Sequence, residues 1–521
     1  MPSLKTGGGK IEKRKFIEVK ELKPEYKVVE TYWVIEPFAK VHIVENPEYG
    51  GFQYFVDEVK LNEREQKAKD KIIDILGKEL EPPESVDVDP SSYVLKEAQR
   101  IAMKYRRTLG KFDEESWKKI FYHVIRDLAG YGELNVLFRD PEIEDISCNG
   151  VYMPIYVWHR KYESIPTNIS FVDEVYYDNY IIKLVHFANE HISSARPILD
   201  ATLPEGHRLA TTFMREVSTA GSTFCIRKFR SDPLSIVDLI NYGTLNAEIA
   251  AYLWLLLENK MSLMIIGGTG AGKTSTLNAL LSLIPQNHKI ITIEEVAELN
   301  PPHENRVQFI SRKGYRFGST ETTEITLFDL VKLSLRYRPD YIVVGEVRGE
   351  EAYVLFQALA TGHGGLCTMH ADSLEHAVRR LTSPPMNIAE IYVPLMNVGI
   401  YVARTDLPRK KLGLTYGRRV RKIQEIIDYE KYNTVAEWSP LDDDFETSFK
   451  DSYLLDVIAI RRGVKKKAIL EDLEERKKMI MSLVKAGIRK QSEVAKAIME
   501  YRVRKTAEAT SKVKVKRKTV V

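Results

Sequence analysis

Cysteine is scarce in this sequence: Cys148, Cys225 and Cys367 are the only three in 521 residues, and no two form a Cys-x-x-Cys pair. An odd, widely spaced set excludes a disulfide framework and a zinc ribbon, leaving three buried thiols as the expectation. Long apolar runs are missing as well. The longest uncharged one, Ile249 to Leu257, is about half the roughly 20 residues a membrane-spanning helix requires, so it reads as a buried helix. The basic N-terminal stretch Met1 to Phe16 has no apolar segment behind it, which argues against a secretory signal. These absences place the expected chain in the cytoplasm, meeting a membrane only through partners or surface charge. Nor does charge of one sign dominate: 77 basic residues face 73 acidic ones, so overall composition does not point to nucleic acid.

What is present is the composition of a folded, multidomain protein, 44% apolar and 29% charged. Residues 1–60 read as a strand-rich entry segment, and 61–130 as a helical bundle built from Leu61 to Leu76, Ser91 to Leu109 and Asp113 to Leu128. Gly77, Gly110 and Gly130 stand where left-handed caps are expected. Residues 131–229 alternate short strands with one helix, an α+β domain, and a polar, proline-marked linker is expected at 230–235. From 236 to 400, helix and strand patterns alternate, predicting an α/β fold with a largely parallel sheet. A C-terminal subdomain at 401–505 and a basic tail at 506–521 complete the chain.

The chemistry concentrates in the α/β segment. Gly267, Gly268, Thr269, Gly270, Ala271, Gly272, Lys273 and Thr274 fit the P-loop pattern G-x-x-x-x-G-K-[ST], between a predicted strand and a predicted helix. Such glycines let consecutive backbone N–H groups surround phosphate oxygens, while the helix behind adds the positive end of its dipole. Lys273 supplies charge to the β- and γ-phosphates, and the Thr274 hydroxyl is a ligand for Mg²⁺. The apolar strand Tyr341 to Val344 leads to Glu346, which at the carboxyl end of a parallel strand would hold the metal's water shell or activate water. Glu294 and Glu295 follow another apolar strand in the same way. His363 and His370 bracket a glycine-rich bend and a short strand, without the third ligand a metal site would need.

P-loop, acidic box Ile291 to Glu298, acidic strand end Asp340 to Arg348 and histidine box Thr361 to Asp372, in this order, resemble the type II/IV secretion ATPase superfamily, the motors of archaella, type IV pili and secretion machines. Leu327 to Leu330, Leu335 to Asp340, Gly349 to Ala352, Leu359 to Gly365 and the early Tyr32 to Lys40 are most similar to its archaeal branch. The resemblance implies a RecA-type ATPase core using ATP and Mg²⁺, a homohexamer, and a polytopic membrane platform protein as partner at the inner face of the cell membrane. It also implies catalytic roles for Glu346, Glu294, Glu295, His363 and His370, and for Arg208 and Arg227 acting on a neighbouring subunit's nucleotide. Glu295 stands where the family usually has aspartate, and the zinc module of many bacterial members is missing. A nucleic-acid translocase is the alternative, resting on the helix pair around Gly487 and the basic tail, but nucleic acid is not the expected partner. The tail from Arg502 to Lys518, with eight basic residues and one acidic, predicts weak contact with anionic lipid instead.

Overall fold

In a computed structural model, the structure describes residues 16–47, 50–81, 88–229, 232–312, 316–317, 320–321, 323–407 and 416–518. The chain divides into two units, Met1–Arg230 and Ser231–Val521. Residues 230–231 of the expected linker lie outside the described residues.

In the first unit, β1 (Ile17–Val19), β2 (Lys27–Ile35), β3 (Ala39–Asn46) and β4 (Gly51–Glu58) precede the helices α1 (Glu63–Glu79), α2 (Pro90–Lys104), α3 (Arg106–Leu109) and α4 (Glu114–Leu128). Ala68, Ile72 and Leu76 recur every fourth residue along α1 and meet Ala98 and Ile101 of α2 and Ile120 and Val124 of α4, so the helices bury one shared stripe. Asn62 starts α1 with a capping box closed by Glu65. Gly77 lies inside α1 rather than past its end, and of the three glycines only Gly110 takes a positive φ, 106°.

After α5 (Asn135–Arg139) come β5 (Ile143–Cys148), β6 (Pro154–His159), β7 (Glu163–Phe171), α6 (Glu174–Phe187), β8 (Ile198–Thr202), β9 (Arg208–Thr212) and β10 (Thr223–Arg227). The entry strands do not form a separate layer: the order β2-β3-β4-β7-β6-β5-β10-β9-β8, with β1 on β7, makes one sheet. Strand alternation also corrects the thiol expectation. Phe224 and Ile226 of β10 point into the core, which turns Cys225 outward, whereas Cys148 and Cys367 are buried.

The second unit opens with α7 (Ile236–Asn241) and α8 (Ala247–Glu258), then β11 (Leu263–Ile266), α9 (Lys273–Leu281), β12 (Ile290–Glu294) and β13 (Arg306–Ile310). A separate two-stranded ladder, β14 (Arg316–Phe317) with β15 (Thr320–Glu321), precedes α10 (Leu327–Ser334), β16 (Tyr341–Val344), α11 (Glu351–Ala360), β17 (Gly364–Met369) and α12 (Leu374–Thr382). β18 (Val398–Asp406), β19 (Tyr416–Asp428), β20 (Lys431–Ser439) and β21 (Asp444–Thr447) lead to α13 (Tyr453–Arg462), α14 (Lys466–Ala486) and α15 (Gln491–Lys518).

The sheet runs β13-β12-β16-β17-β11-β18-β19-β20-β21, parallel as far as β18 and antiparallel beyond. This is the α/β core expected, and the strands after residue 400 extend its sheet instead of building their own. Leu263 and Ile265 face α8 and α9 while Met264 and Ile266 face α10, α11 and α12, so both sides of the sheet are covered. The apolar run foreseen as a buried helix is α8, held from outside by α14, where the buried Arg476 lies over Trp254 and pairs with Glu258 and Asp472. The helix pair joined at Gly487 buries Ile480, Leu483, Val494 and Ile498 in this core, the packing of a subdomain rather than of a free groove-reading motif. Glu425, fully buried on β19, accepts from Tyr252, Asn433 and the Tyr453 backbone, tying α8, β20 and the start of α13 together. The α15 backbone runs on to Lys518; residues 519–521 and the side chains of the basic tail beyond Ala507 lie outside the described ones. Among the described residues no helix is long and apolar enough to cross a membrane.

Candidate active site

Because β11, β12, β16 and β17 are parallel neighbours, their carboxyl ends bring the P-loop, Glu294, Glu346 and His370 to one edge of the sheet. The P-loop spans β11 and α9. A side chain at Gly267 would collide with the Val402 carbonyl oxygen, and Gly272 opens α9 at a φ of 92° that L side chains rarely adopt. Lys273 folds back over its own loop, donating to the Gly268 carbonyl at 2.9 Å, with its ammonium 3.3 Å from His370 Nε2. Burial pushes its pKa down, opposed by the Glu346 charge. Thr274, half-buried on the first turn of α9, follows it.

Glu346 is the hub of a charged network. One of its oxygens accepts from Arg348 at 2.6 Å and the other lies 3.3 Å from His370 Nε2. Partial burial raises its pKa, but the Arg348 hydrogen bond and the charges of Arg348, His370 and Lys273 outweigh that and hold it below the usual carboxylate range. It is therefore ionised at neutral pH. His370 is pushed down by burial and by Lys273, which keeps its imidazole neutral under the same conditions. Glu295 reaches this network through Arg348 at 3.5 Å. The loop itself is held by Glu351, whose carboxylate accepts from the Arg348 and Gly349 backbone.

Glu294 behaves differently. It is 4% exposed and accepts from the Glu298 and Leu299 backbone N–H groups, both at 2.9 Å. Burial pushes its carboxyl up to about 8 in spite of those bonds. The unfolded chain releases this proton near 4.5, whereas the folded chain keeps it to about 8, so the stability linked to Glu294 is complete below 4.5 and is lost as pH rises through 8. Thermal melts of nucleotide-free protein between pH 5 and 9 should therefore fall with pH, and Glu294→Gln, which copies the protonated form, should flatten that slope. A slope left unchanged by the substitution would assign it to another group.

The histidine box does not act as one unit. His363 stands at the amino end of β17 and His370 at its carboxyl end, about 20 Å apart at the rise of a strand. Within its own subunit His363 is kept from the phosphate edge, its Nδ1 placed 3.0 Å from both the Ala358 carbonyl and the Thr361 hydroxyl. Of the two histidines expected to serve catalysis, the structure brings only His370 to the phosphate edge within one subunit. Arg208 and Arg227 belong to the first unit, directly opposite each other on β9 and β10. Arg208 makes a two-pronged bond to Asp200 at 2.7 and 3.0 Å, and Arg227 donates to Asp145 at 3.2 Å. Arg227, with 64% of its side chain exposed, remains open to a partner.

Two further arginines at the site were given no role from the sequence, although Arg348 closes the acidic strand-end motif. Arg348 clamps Glu346, and Arg418 of β19 donates to the Gly270 carbonyl of the P-loop at 3.0 Å. The basic run Gly417 to Lys422 was the available signal for the second. Among the described residues no three acidic, histidine or cysteine side chains cluster as a metal cage. The Thr274 hydroxyl and the ionised Glu346 carboxylate fit Mg²⁺, which takes few protein ligands and completes its shell with water and phosphate.

A family model described as type II/IV secretion system protein matches residues 154–402. The chain is 36% identical over 464 residues to an uncharacterized protein of Methanocaldococcus jannaschii, covering 84% of this chain and 82% of that one. A second uncharacterized protein of the same organism is 42% identical over 271 residues, 51% of this chain and 97% of its own length. The conjugal transfer protein TrbB of Rhizobium radiobacter is 31% identical over 251 residues, covering 47% of this chain and 73% of that protein.

Proposed function

The chain belongs to the type II/IV secretion system protein family, and we propose that it is a Mg²⁺-dependent ATPase that powers assembly or movement of an archaellum, type IV pilus or related secretion filament. The observation that carries the reading is the Lys273–His370–Glu346–Arg348 network at the shared carboxyl end of parallel strands, directly behind a P-loop. The P-loop amides and Lys273 bind the phosphates. Thr274 and Glu346 hold the metal and its water shell, and Mg²⁺, when bound, neutralises charge on the β- and γ-phosphates. Glu346, already ionised, orients or deprotonates the attacking water, and neutral His370 lies close enough to Lys273 to report whether a γ-phosphate has drawn the ammonium away. Glu294, largely protonated at neutral pH, positions the loop through Leu299.

The relatives in Methanocaldococcus jannaschii support the archaeal branch, and a conjugal transfer relative supports a secretion role more broadly. We read the working form as a homohexamer in the cytoplasm, docked on a polytopic membrane platform protein. Purified protein should hydrolyse ATP only with Mg²⁺ and gain nothing from single-stranded DNA. Strong stimulation by DNA would favour a translocase instead.

Arg227 is proposed to act across a subunit boundary, with Arg208 beside it as the second candidate. Arg227→Ala protein is expected to bind ATP but hydrolyse it about 10³-fold more slowly, the lower end of what arginine fingers contribute. Mixing it with Lys273→Ala subunits should restore part of the activity, since an intact Lys273 site then faces an intact Arg227. Full activity of Arg227→Ala alone, or no recovery in rings shown by labelled-subunit energy transfer to have exchanged, would remove the assignment.

A further inference from the structure

Outside the P-loop, next to the Arg348 that clamps Glu346, an open pocket of about 260 Å³ is lined by Arg348, Arg379, Arg380 and Ser383 and bordered by the turn Pro384 to Met386. Three lining side chains are guanidinium groups and none is a carboxylate. Two of them are wired to the active site: Arg348 donates to Glu346, and Arg380 donates to the His370 carbonyl. Among the described residues, neither Arg379 nor Arg380 forms an ion pair with an acidic side chain. The dipole of α12 favours cations at its last turn and accounts for Arg379 and Arg380 being there. Arg348, paired with Glu346 and Glu295, reaches the same pocket from the loop after β16. Two guanidinium groups without an acidic partner suit an anion, and planar guanidinium forks match the oxygens of a phosphate.

We propose that this pocket is a second oxyanion site that receives inorganic phosphate after ATP is cleaved, with Arg348 as the shared wall between the two. The inference rests on the ATPase reading above. Once free, the phosphate dianion is repelled by ionised Glu346 and attracted by the guanidinium groups one side chain further on, so its exit follows the charge gradient.

The test fills the γ-phosphate position and asks whether phosphate still binds. Wild-type protein saturated with Mg²⁺ and the β,γ-imido analogue of ATP is titrated with inorganic phosphate by calorimetry at constant ionic strength. Phosphate should bind with the analogue in place, at one per subunit, and Arg379→Glu and Arg380→Glu should each weaken it at least about tenfold. Ser383→Asp, which keeps every arginine but adds a negative charge to the wall, should do the same. No phosphate binding to the analogue-loaded wild type, or an affinity unmoved by these variants, overturns the proposal. If an arginine variant no longer binds the analogue, its fold is lost and Ser383→Asp decides. Should wild type fail to bind the analogue at all, the ATPase reading falls and this site with it; analogue binding without phosphate binding defeats this site alone.

Discussion

Glu346→Gln protein is expected to bind ATP at least as tightly as wild type and to hydrolyse it between about 10² and 10⁴ times more slowly, the range attributed to a positioned acid–base group. The amide keeps the shape and can still accept from Arg348, so the loop should stay in place. What disappears is the negative charge that balances Lys273 and Arg348, and without it the site is more attractive to phosphates. Hydrolysis suffers for the same reason, since the group proposed to orient the attacking water and accept its proton has gone. The pH profile separates Glu346 from its neighbour. Glu346 is held below the usual carboxylate range, so a reaction using it shows no ionisation step near pH 8. A reaction that needed ionised Glu294 would instead accelerate as pH rises through about 8. Turnover of Glu346→Gln within tenfold of wild type, with a rise near pH 8, would move the base to Glu294.

Much of the site was legible because its parts are local. The P-loop is one contiguous motif whose glycines and lysine act within eight residues, and the acidic strand ends follow from a simple rule, that parallel strands present their carboxyl ends together. The same geometry separates His363 from His370. Seven residues look close in sequence, but as a strand they span the whole sheet and leave one histidine at the wrong end. Arg418 was hidden for the opposite reason: it sits far along the chain from Gly270 and meets it only because β19 folds back antiparallel to β18. Strand alternation, which puts Phe224 and Ile226 in the core, also puts Cys225 outside, a rule the thiol expectation did not use. The entry strands were recognisable as strands, but their attachment runs through the short parallel contact of β4 with β7, and no local pattern encodes such a long-range pairing.

Lys273→Ala is expected to abolish ATP turnover, and the surroundings of Lys273 show why this loss should come without a folding defect. The ammonium spends its hydrogen bond on the Gly268 carbonyl and lies beside a neutral imidazole, and burial disfavours its charge. No carboxylate forms an ion pair with it among the described residues, so removing it orphans no buried charge and should leave thermal stability within a few degrees of wild type. With ATP the comparison reverses. Wild type at a hundred times its dissociation constant gains about 2.7 kcal/mol from binding, seen as a raised melting temperature. The variant lacks the charge that spans the β- and γ-phosphates and should show little of that rise, together with no measurable hydrolysis. Differential scanning fluorimetry with and without MgATP, alongside a phosphate-release assay, reads both. A variant that melts much earlier without nucleotide would give Lys273 a structural role the geometry does not support. Turnover within tenfold of wild type would take the phosphates away from the P-loop altogether.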